Sequence, residues 1–312
     1  MRIGLVLPLF SGDPEKVGSF ADRAEQLGFD GLFAFDHFFP PGASPDRPSL
    51  EAFTTLAAVA ARTEHVKLGT LVARAQLRPM GLLAKLAANV DLVSNGRLVL
   101  GLGTGDPIDR PEHEAFGFPA LSKQDRRAHL AEAIGALKAL FGGRPWEGGT
   151  FVPPMAGPLL PRPKTTGGPP VWVGAQADPV VTLAGQLADG WNGWGLQPPE
   201  FGRKARLLAE EAGAAGREAE ATWAGIALVG KDDDEAETLL ERRRTRGMPD
   251  DGLWWGSAER LVELLLSLAD VGATWAVLVP AGPSDRVELI AERVLPPIHS
   301  ARGSFGGHRS PE

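Results

Sequence analysis

The chain of 312 residues contains no cysteine. The protein therefore forms no disulfide bond, has no thiol nucleophile and supplies no thiolate to a metal ion or an iron–sulfur cluster. Disulfide bonds are rare in the cytosol, so their absence is compatible with a cytoplasmic protein. A long apolar run and the layout of a signal peptide are also missing, and a strand pattern begins at Ile3. We therefore expect a cytoplasmic protein without a membrane segment.

Positive charge is in deficit, because 32 lysine and arginine residues face 39 aspartate and glutamate residues and leave a formal net charge of −7. An acidic chain is poorly suited to bind nucleic acid or an anionic membrane surface. The six histidines show no spacing typical of metal ligands. We therefore expect a small-molecule substrate, and neither a metal site nor a nucleic-acid partner.

Apolar material is sufficient for a large core, since 43% of the residues are hydrophobic and 23% are charged. Short apolar runs alternate with amphipathic stretches, and they predict strands at residues 3–8, 31–35, 66–72, 98–103, 171–174, 190–194, 223–229 and 275–279. This alternation predicts an α/β fold, a (β/α)8 TIM barrel formed by a single domain over residues 1–300. A doubly wound open sheet is the alternative, although it usually has fewer strands. It would also carry a Gly-x-Gly-x-x-Gly motif after the first strand, which this chain lacks.

Three segments depart from this rhythm. Residues 142–170, between the fourth predicted helix and the fifth strand, are rich in proline and glycine and too long for an ordinary connection. They predict an insertion with a small hairpin near 150–152, and we expect it to cover the barrel mouth as a lid. Trp254 and Trp255, which precede a later helix, are expected to line the same pocket or a subunit interface. Residues 301–312 predict a flexible C-terminal tail.

Residues 96–106 are the most informative stretch of the chain. A buried strand at 98–100 is followed by Gly101, Gly103 and Gly105 at alternate positions, and then by Asp106. Glycines without side chains let a flat or bulky group approach the backbone at the carboxyl end of a strand. This pattern favours a cofactor floor with an acid at its rim. The alternative is a glycine-rich strand exit followed by a turn aspartate.

In a TIM barrel, the chemistry takes place on the loops at the carboxyl ends of the strands. That rule selects a set of candidate residues from the predicted strand ends. The set comprises Asp36, His37, Leu71, Val72, Arg74, Asp106, Gln176, Trp191, Trp194 and Trp254.

A series of short motifs in a fixed order resembles the luciferase-like monooxygenase superfamily, most closely its bacterial branch that uses the deazaflavin coenzyme F420. The resemblance extends from Ile3 to Ile298. The motifs that carry it lie at residues 28–30, 36–37, 68–72, 78–79, 84–85, 94–97, 101–105, 170–174, 188–191 and 272–273. Each motif alone is weak, whereas their order and spacing together are specific. The resemblance implies a TIM barrel and hydride transfer by a bound F420.

The same resemblance assigns roles to residues at the ends of the second and third predicted strands. Asp36 and His37 match an aspartate–histidine pair that lies against the cofactor, where His37 would transfer a proton and Asp36 would orient it or contact the ring edge. Leu71 and Val72 match a bulge with a cis non-prolyl peptide beneath the central ring of the cofactor. The alternative for Asp36 and His37 is an N-cap aspartate next to a packed imidazole.

Asp106 aligns with a catalytic acid of the sugar-phosphate dehydrogenases in this superfamily, where the residue is a glutamate. Those enzymes also carry a tryptophan after the aspartate–histidine pair, whereas Pro40 and Pro41 follow Phe39 in this chain. We therefore expect Asp106 to be a candidate acid, and these two departures count against oxidation of a sugar phosphate.

The resemblance also predicts the cofactor-binding residues. Gly103, Thr104, Gly105 and Trp191 would contact the cofactor, and Gly174, Gln176 and Ala177 would face its phosphate near the start of a helix. Asp178 is expected to turn inward as the N-cap of that helix, because its charge would repel a phosphate.

Two alternatives to an F420-dependent oxidoreductase stay open. The first is a monooxygenase of the same fold that uses flavin mononucleotide (FMN). The second is a non-catalytic protein that binds flavin or deazaflavin. Members of the superfamily are commonly dimers, and we therefore expect a homodimer.

Overall fold

The computed structural model describes residues 1–41 and 45–305. Its strands are β1 (Arg2–Val6), β2 (Gly31–Ala34), β3 (Lys67–Thr70), β4 (Ala73–Arg74), β5 (Leu98–Gly103), β6 (Val171–Gly174), β7 (Gly190–Trp194), β8 (Glu220–Gly230), β9 (Leu253–Ser257) and β10 (Ala273–Ala281). Eight of them pair in parallel in the order β10, β1, β2, β3, β5, β6, β7, β8, and β8 pairs again with β10. The sheet is therefore a closed barrel. The predicted TIM barrel is confirmed, and the open sheet is excluded.

The two remaining strands lengthen the barrel wall at its C-terminal end. β4 continues the line of β3 along β5 after a break at Leu71 and Val72. β9 pairs with the second half of β8 from Ile226 onwards, beyond the point where β7 has ended. Trp254 and Trp255 therefore belong to a strand, whereas the sequence pattern placed them in a loop before a helix.

The helices surround this barrel: α1 (Pro14–Gln26), α2 (Ala52–Arg62), α3 (Met80–Val93), α4 (Arg110–Phe116), α5 (Lys123–Phe141), α6 (Asp178–Leu187), α7 (Pro198–Ala214), α8 (Asp233–Thr245), α9 (Ala258–Asp270), α10 (Arg286–Arg293) and α11 (Leu295–Phe305). Asp13 caps α1, because its side chain accepts from the amides of Glu15 and Lys16. α11 extends through the first five residues of the predicted tail, and residues 306–312 lie outside the described part of the chain.

Aromatic side chains fill the lower barrel. Phe33 stacks on Trp172 with ring centroids 5.7 Å apart, and Trp275 meets both rings edge-on at 5.8 Å. Glycines on the strands make room for them: a Cβ on Gly69 would lie 2.7 Å from the Phe33 ring. Because these rings block the lower end, a ligand can enter the barrel only from its C-terminal mouth.

The insertion at residues 142–170 lies on the outer helices. A two-residue bridge joins Trp146 to Met155, and the carboxylate of Glu132 on α5 accepts from three amides of the hairpin, including that of Thr150. Farther along, Thr165 donates twice to Asp91 on α3. No hydrogen bond within the described residues joins the insertion to the strand-end loops of the mouth. The observed contacts of the insertion are with α3 and α5, and its role as a lid over the mouth stays a prediction.

No helix in residues 1–41 and 45–305 is long and apolar enough to cross a membrane.

Candidate active site

Aromatic rings surround the barrel mouth. Phe10 lies in a short 3-10 helix after β1, Phe35 follows β2, and Trp194 ends β7. We call these three side chains the mouth aromatics. The ring of Phe35 lies 5.9 Å from that of Phe10 and 6.1 Å from that of Trp194, and the His37 ring is 6.3 Å from Phe35. His37 therefore stands beside an apolar surface at the mouth, as the barrel rule predicts.

A buried carboxylate holds the imidazole of His37. Its Nδ1 lies 2.7 Å from Oε1 of Glu112 on α4, and the backbone amide of Phe38 donates to the other carboxylate oxygen at 2.8 Å. Glu112 is only 1% exposed. Nδ1 therefore donates its proton to an ionised acceptor, which leaves Nε2 as the basic nitrogen of the neutral ring. Nε2 forms no hydrogen bond within the described residues.

Arg74 anchors the same carboxylate from below. Its Nη2 donates to Oε2 of Glu112 at 2.7 Å and to the backbone oxygen of Asp36 at 2.8 Å. Burial alone would raise the pKa of Glu112. The hydrogen bonds from His37 and the Phe38 amide, with the charge on Arg74, outweigh burial and lower that pKa below its usual range. Glu112 is therefore ionised at neutral pH.

Asp36 is engaged elsewhere. Both of its oxygens accept from Arg78, at 2.7 and 2.8 Å, and Oδ2 also accepts from the amide of Arg74. Burial lowers the pKa of Arg78, but its bonds to Asp36 and Glu51 outweigh burial and raise it. Asp36 therefore fixes the strand ends to one another and is 4% exposed. Among the described residues, the carboxylates that contact the His37 ring are those of Glu112 and Asp109, and not that of Asp36.

Asp109 completes an ion-pair cluster beneath His37. One oxygen each of Asp109 and Glu112 and one nitrogen of His37 lie within 4.8 Å of one another, a spacing that metal ligands also adopt. The guanidinium of Arg74 bonds to Glu112 and lies 3.7 Å from Asp109. Because this cation pairs with one carboxylate and lies close to the other, we describe the group as an ion-pair cluster with a net negative charge.

Val72 occupies the space that the glycines leave free. The Leu71–Val72 peptide bond is cis, and Leu71 packs into the barrel core. A Cβ on Gly103 would lie 2.6 Å from Cγ2 of Val72, and one on Gly174 would lie 2.9 Å from the same atom. The space beside Gly103 of β5 and Gly174 of β6 is therefore filled by the side chain of Val72, which lies between β3 and β4. The open floor predicted from the glycines is instead covered by Val72.

The loop after β5 leaves the Asp106 side chain exposed. Gly105 has a φ of +72°, a conformation that glycine adopts readily. The hydroxyl of Thr104 donates to the Gly105 oxygen, and the amide of Asp106 donates to Asp109 at 2.7 Å. The hydrogen-bond donor of the Asp106 side chain is the Ile108 amide, at 3.4 Å. Among the described residues the buried acids beside His37 are Glu112 and Asp109, and the role of Asp106 as a candidate acid stays a prediction.

The start of α6 presents unused backbone donors. The amides of Gln176 and Ala177 donate to no acceptor within the described residues, and Ala177 is the N-cap. Asp178 is not the cap that the sequence predicts. Its carboxylate pairs with Arg203 and with Lys204 on α7, and these bonds lower its pKa. The charge of Asp178 is thereby neutralised at the site where an anion would bind.

Trp191 does not face the mouth. Its ring is fully buried on the outer face of the sheet, stacks on Phe201 of α7 at 5.2 Å, and donates to the Ala175 oxygen at 2.8 Å. The side chain therefore packs a helix against the barrel, and its predicted contact with a cofactor is corrected.

Sequence reasoning missed Glu112 and Asp109. The two residues are three positions apart at the start of a short helix that follows the glycine loop, so they share one face. That spacing is visible in the sequence. It points to His37 only after the fold has brought α4 against the end of β2.

Comparisons with known proteins agree with this geometry. Residues 1–274 match the model of the luciferase-like monooxygenase family. The F420-dependent glucose-6-phosphate dehydrogenase of Microbacterium testaceum is 29% identical over 234 residues, which cover 73% of this chain and 63% of that protein. The 5,10-methylenetetrahydromethanopterin reductase of Methanolobus tindarius is 27% identical over 223 residues, which cover 71% of this chain and 63% of that protein. The chain thus spans less than two thirds of the length of these relatives.

Solved structures share the fold over almost the whole chain. An F420-dependent secondary alcohol dehydrogenase in complex with an F420–acetone adduct superposes with a TM-score of 0.81 and 19% identity, covering 94% of this chain and 98% of the other. An EDTA monooxygenase from Chelativorans sp. BNC1 superposes with a TM-score of 0.79 and 17% identity, covering 97% and 94%. These likenesses support the barrel, and the family match covers residues 1–274. The chain therefore belongs to the luciferase-like monooxygenase family.

Proposed function

We propose that this protein is an oxidoreductase that uses coenzyme F420 to transfer a hydride to or from a small organic substrate. The observation that carries the proposal is the imidazole of His37, which stands at the barrel mouth with Nδ1 bonded to a buried carboxylate and Nε2 free. Relatives named as F420-dependent enzymes at 29% identity support the same cofactor.

The chain offers features that fit a deazaflavin. Val72, seated against Gly103 and Gly174, gives a firm apolar surface for a planar ring. The amides of Gln176 and Ala177 at the start of α6 are donors for a phosphate, and the pairing of Asp178 with Arg203 removes the opposing charge. When bound, the cofactor supplies the hydride chemistry.

His37 would act as the general base and general acid of this reaction. Because Glu112 holds the Nδ1 proton, Nε2 can accept a proton from a substrate hydroxyl as the alcohol is oxidised. In the opposite direction, the imidazolium returns that proton to a substrate carbonyl. Glu112 stabilises the positive ring in both directions.

We also propose an uncharged, partly apolar alcohol or carbonyl compound as the substrate. The mouth aromatics supply flat apolar contacts within 6.5 Å of His37 or of one another. Trp194 is held in place, since its indole nitrogen donates to Asp251 at 3.0 Å. The two departures from the sugar-phosphate dehydrogenases, at Asp106 and Pro40, favour the same conclusion.

The protein is further proposed to be a cytoplasmic homodimer. One face of α3 and the insertion beside it expose apolar side chains, with Leu82 at 49%, Val93 at 52% and Leu160 at 59% exposure. Exposed large apolar side chains on one face are typical of a subunit contact.

Two titrations test the cofactor. Calorimetry with purified F420 and with FMN, each in its oxidised form, should give tight binding of F420. Reduction of bound F420 by a panel of primary and secondary alcohols, followed by absorbance, should then show turnover that the His37→Asn variant lacks. Tight binding of FMN alone would favour the monooxygenase alternative. Binding of F420 without turnover on any alcohol or carbonyl compound would favour a non-catalytic protein.

A further inference from the structure

We propose that Glu112 is the positioning residue of His37: it fixes the ring proton on Nδ1 and stabilises the positively charged ring, while Arg74 anchors Glu112. This inference rests on the proposed function for its catalytic meaning. Its structural content, the tautomer and charge of the His37 ring, does not depend on the cofactor or on the reaction.

The geometry allows Glu112 little freedom. One carboxylate oxygen lies 2.7 Å from Nδ1 of His37, and the other accepts from the Phe38 amide at 2.8 Å and from Arg74 at 2.7 Å. Rotation of the carboxylate would break all three bonds in a site that is 1% exposed, where water cannot replace them. The carboxylate therefore has one favourable orientation, and the ring takes its orientation from it.

Arg74 ties this carboxylate to the backbone that carries His37. Its guanidinium bonds both to Glu112 and to the carbonyl oxygen of Asp36, the residue before His37. Arg74 is 3% exposed and stands at the end of β4, directly after Leu71 and Val72. The position of the imidazole is thus fixed by two strand ends and one helix together.

The charged groups around His37 carry a net negative charge. Nδ1 lies 2.7 Å from Glu112 and 3.7 Å from Asp109, and the guanidinium of Arg74 offsets one of these two carboxylates. The carboxylate of Asp36, the residue before His37, is paired with Arg78, which also binds the partly exposed Glu51. A positive charge that develops on the ring as it accepts a proton in the reaction is therefore balanced by a carboxylate in direct contact.

A purely structural role for Glu112 makes a different prediction. Glu112 also joins α4 to the end of β2 through the Phe38 amide, so its loss would lower thermal stability in either case. If that were all, the tautomer of the His37 ring would not change in a variant that still folds. The two roles are therefore separated by measurements on the ring itself.

The test is nitrogen-15 NMR of the imidazole rings in the cofactor-free protein, with the His37 signals identified from the His37→Asn variant. In the wild type, the neutral ring should carry its proton on Nδ1. In Glu112→Gln, the ring should become a mixture of both tautomers, because the ionised acceptor of the Nδ1 proton has been removed. Glu112→Asp keeps the charge and shortens the side chain, so the preference for a proton on Nδ1 should be weaker than in the wild type.

Glu114→Gln is the matched control. Glu114 lies two residues away on the same helix, is exposed and, among the described residues, pairs with Arg110, so the ring signals should not change in this variant. Turnover supplies the second readout: kcat of Glu112→Gln should fall about 10²–10⁴-fold, the contribution of a positioned acid or base, because loss of the orienting carboxylate removes the required tautomer. KM for the cofactor should change by less than about 3-fold, since cofactor contacts are spread over several loops.

An unchanged tautomer in folded Glu112→Gln would overturn the proposal and leave Glu112 as a structural residue. If Glu112→Gln does not fold, Glu112→Asp decides the question, and a wild-type ring in that variant together with wild-type kcat would equally overturn it. Failure of the proposed function appears differently, as absence of F420 turnover in the wild type while the ring measurements still give the expected changes.

Discussion

A single methyl group on Gly103 should disturb the mouth through Val72. In Gly103→Ala, the new Cβ would lie 2.6 Å from Cγ2 of Val72, well inside the ordinary contact distance. Gly174 flanks Val72 on the other side, where even an added Cβ would lie only 2.9 and 3.0 Å from the valine methyl groups, so Val72 has little room to shift. A valine has few alternative rotamers, so the strand ends must move. Overpacking of this kind costs about 1–3 kcal/mol.

The cost should appear both in stability and in cofactor affinity. We expect the melting temperature of Gly103→Ala to fall by several degrees and the dissociation constant for F420 to rise about 10-fold, the equivalent of about 1.4 kcal/mol. The affinity is expected to change because Val72 forms the proposed surface beneath the cofactor. Thermal unfolding and tryptophan fluorescence titration measure the two quantities on the same sample.

The double variant Gly103→Ala/Val72→Ala tests the reasoning. Removal of the valine methyl groups relieves the contact, so stability should recover by at least about 1 kcal/mol relative to the sum of the single changes. Gly213→Ala in α7 is the control, because a Cβ there meets nothing within 4 Å, and it should be neutral or slightly stabilising. Additive effects of Gly103→Ala and Val72→Ala would refute the steric explanation.

Further outcomes are expected at other positions. His37→Ala should lower the rate of the half-reaction with substrate about 10²–10⁴-fold and weaken cofactor binding by only about 1 kcal/mol, measured by stopped flow and calorimetry; equal losses in both would contradict a proton-transfer role. Asp106→Asn should change kcat by less than about 3-fold in steady-state assays, because the side chain is exposed and unattached to His37, and a loss comparable to that of His37→Ala would restore Asp106 as the acid. The pKa of Glu112 is lowered in the folded protein, so the ionised carboxylate stabilises the fold above its ordinary pKa of 4.5, and this stabilisation is lost as pH falls below that value. The unfolding midpoint of the wild type should therefore exceed that of Glu112→Gln at pH 7, and the two midpoints should converge toward pH 3. Parallel pH dependences of the two midpoints would contradict a stabilising role of the ionised Glu112. Light scattering at micromolar concentration should give a dimer for wild type and a smaller species for Leu82→Asp, whereas a monomeric wild type would refute the homodimer.

The sequence was sufficient for much of the architecture, because hydrophobic periodicity and helix caps are local properties. The alternation of apolar runs and amphipathic stretches predicted all eight barrel strands, and Asp13 was recognisable as a cap from its neighbours alone. The barrel rule placed His37 and Val72 at the mouth, since the end of a strand can be read from the residues that follow it.

Local sequence patterns did not predict which face of the sheet a side chain occupies. Trp191 is the second residue of β7 and Trp194 its last, and only the alternation of the formed strand directs the first outward to Phe201 and the second inward to the mouth. The insertion at 142–170 carried no sign of whether it would cross the mouth or lie against α3 and α5. Its contacts with Glu132 and Asp91 depend on helices that are distant in the sequence.

The partner of His37 was decided by the tertiary structure alone. Asp36 is adjacent in sequence, yet its carboxylate is taken by Arg78, 42 residues away. Glu112 is 75 residues from His37, and it reaches Nδ1 because α4 packs against the end of β2. Sequence determined which residues arrive at the mouth, since strand ends are local. Which charges meet there depends on long-range packing, because a buried ion pair forms only between groups that the closed barrel brings within a few ångströms and removes from water together.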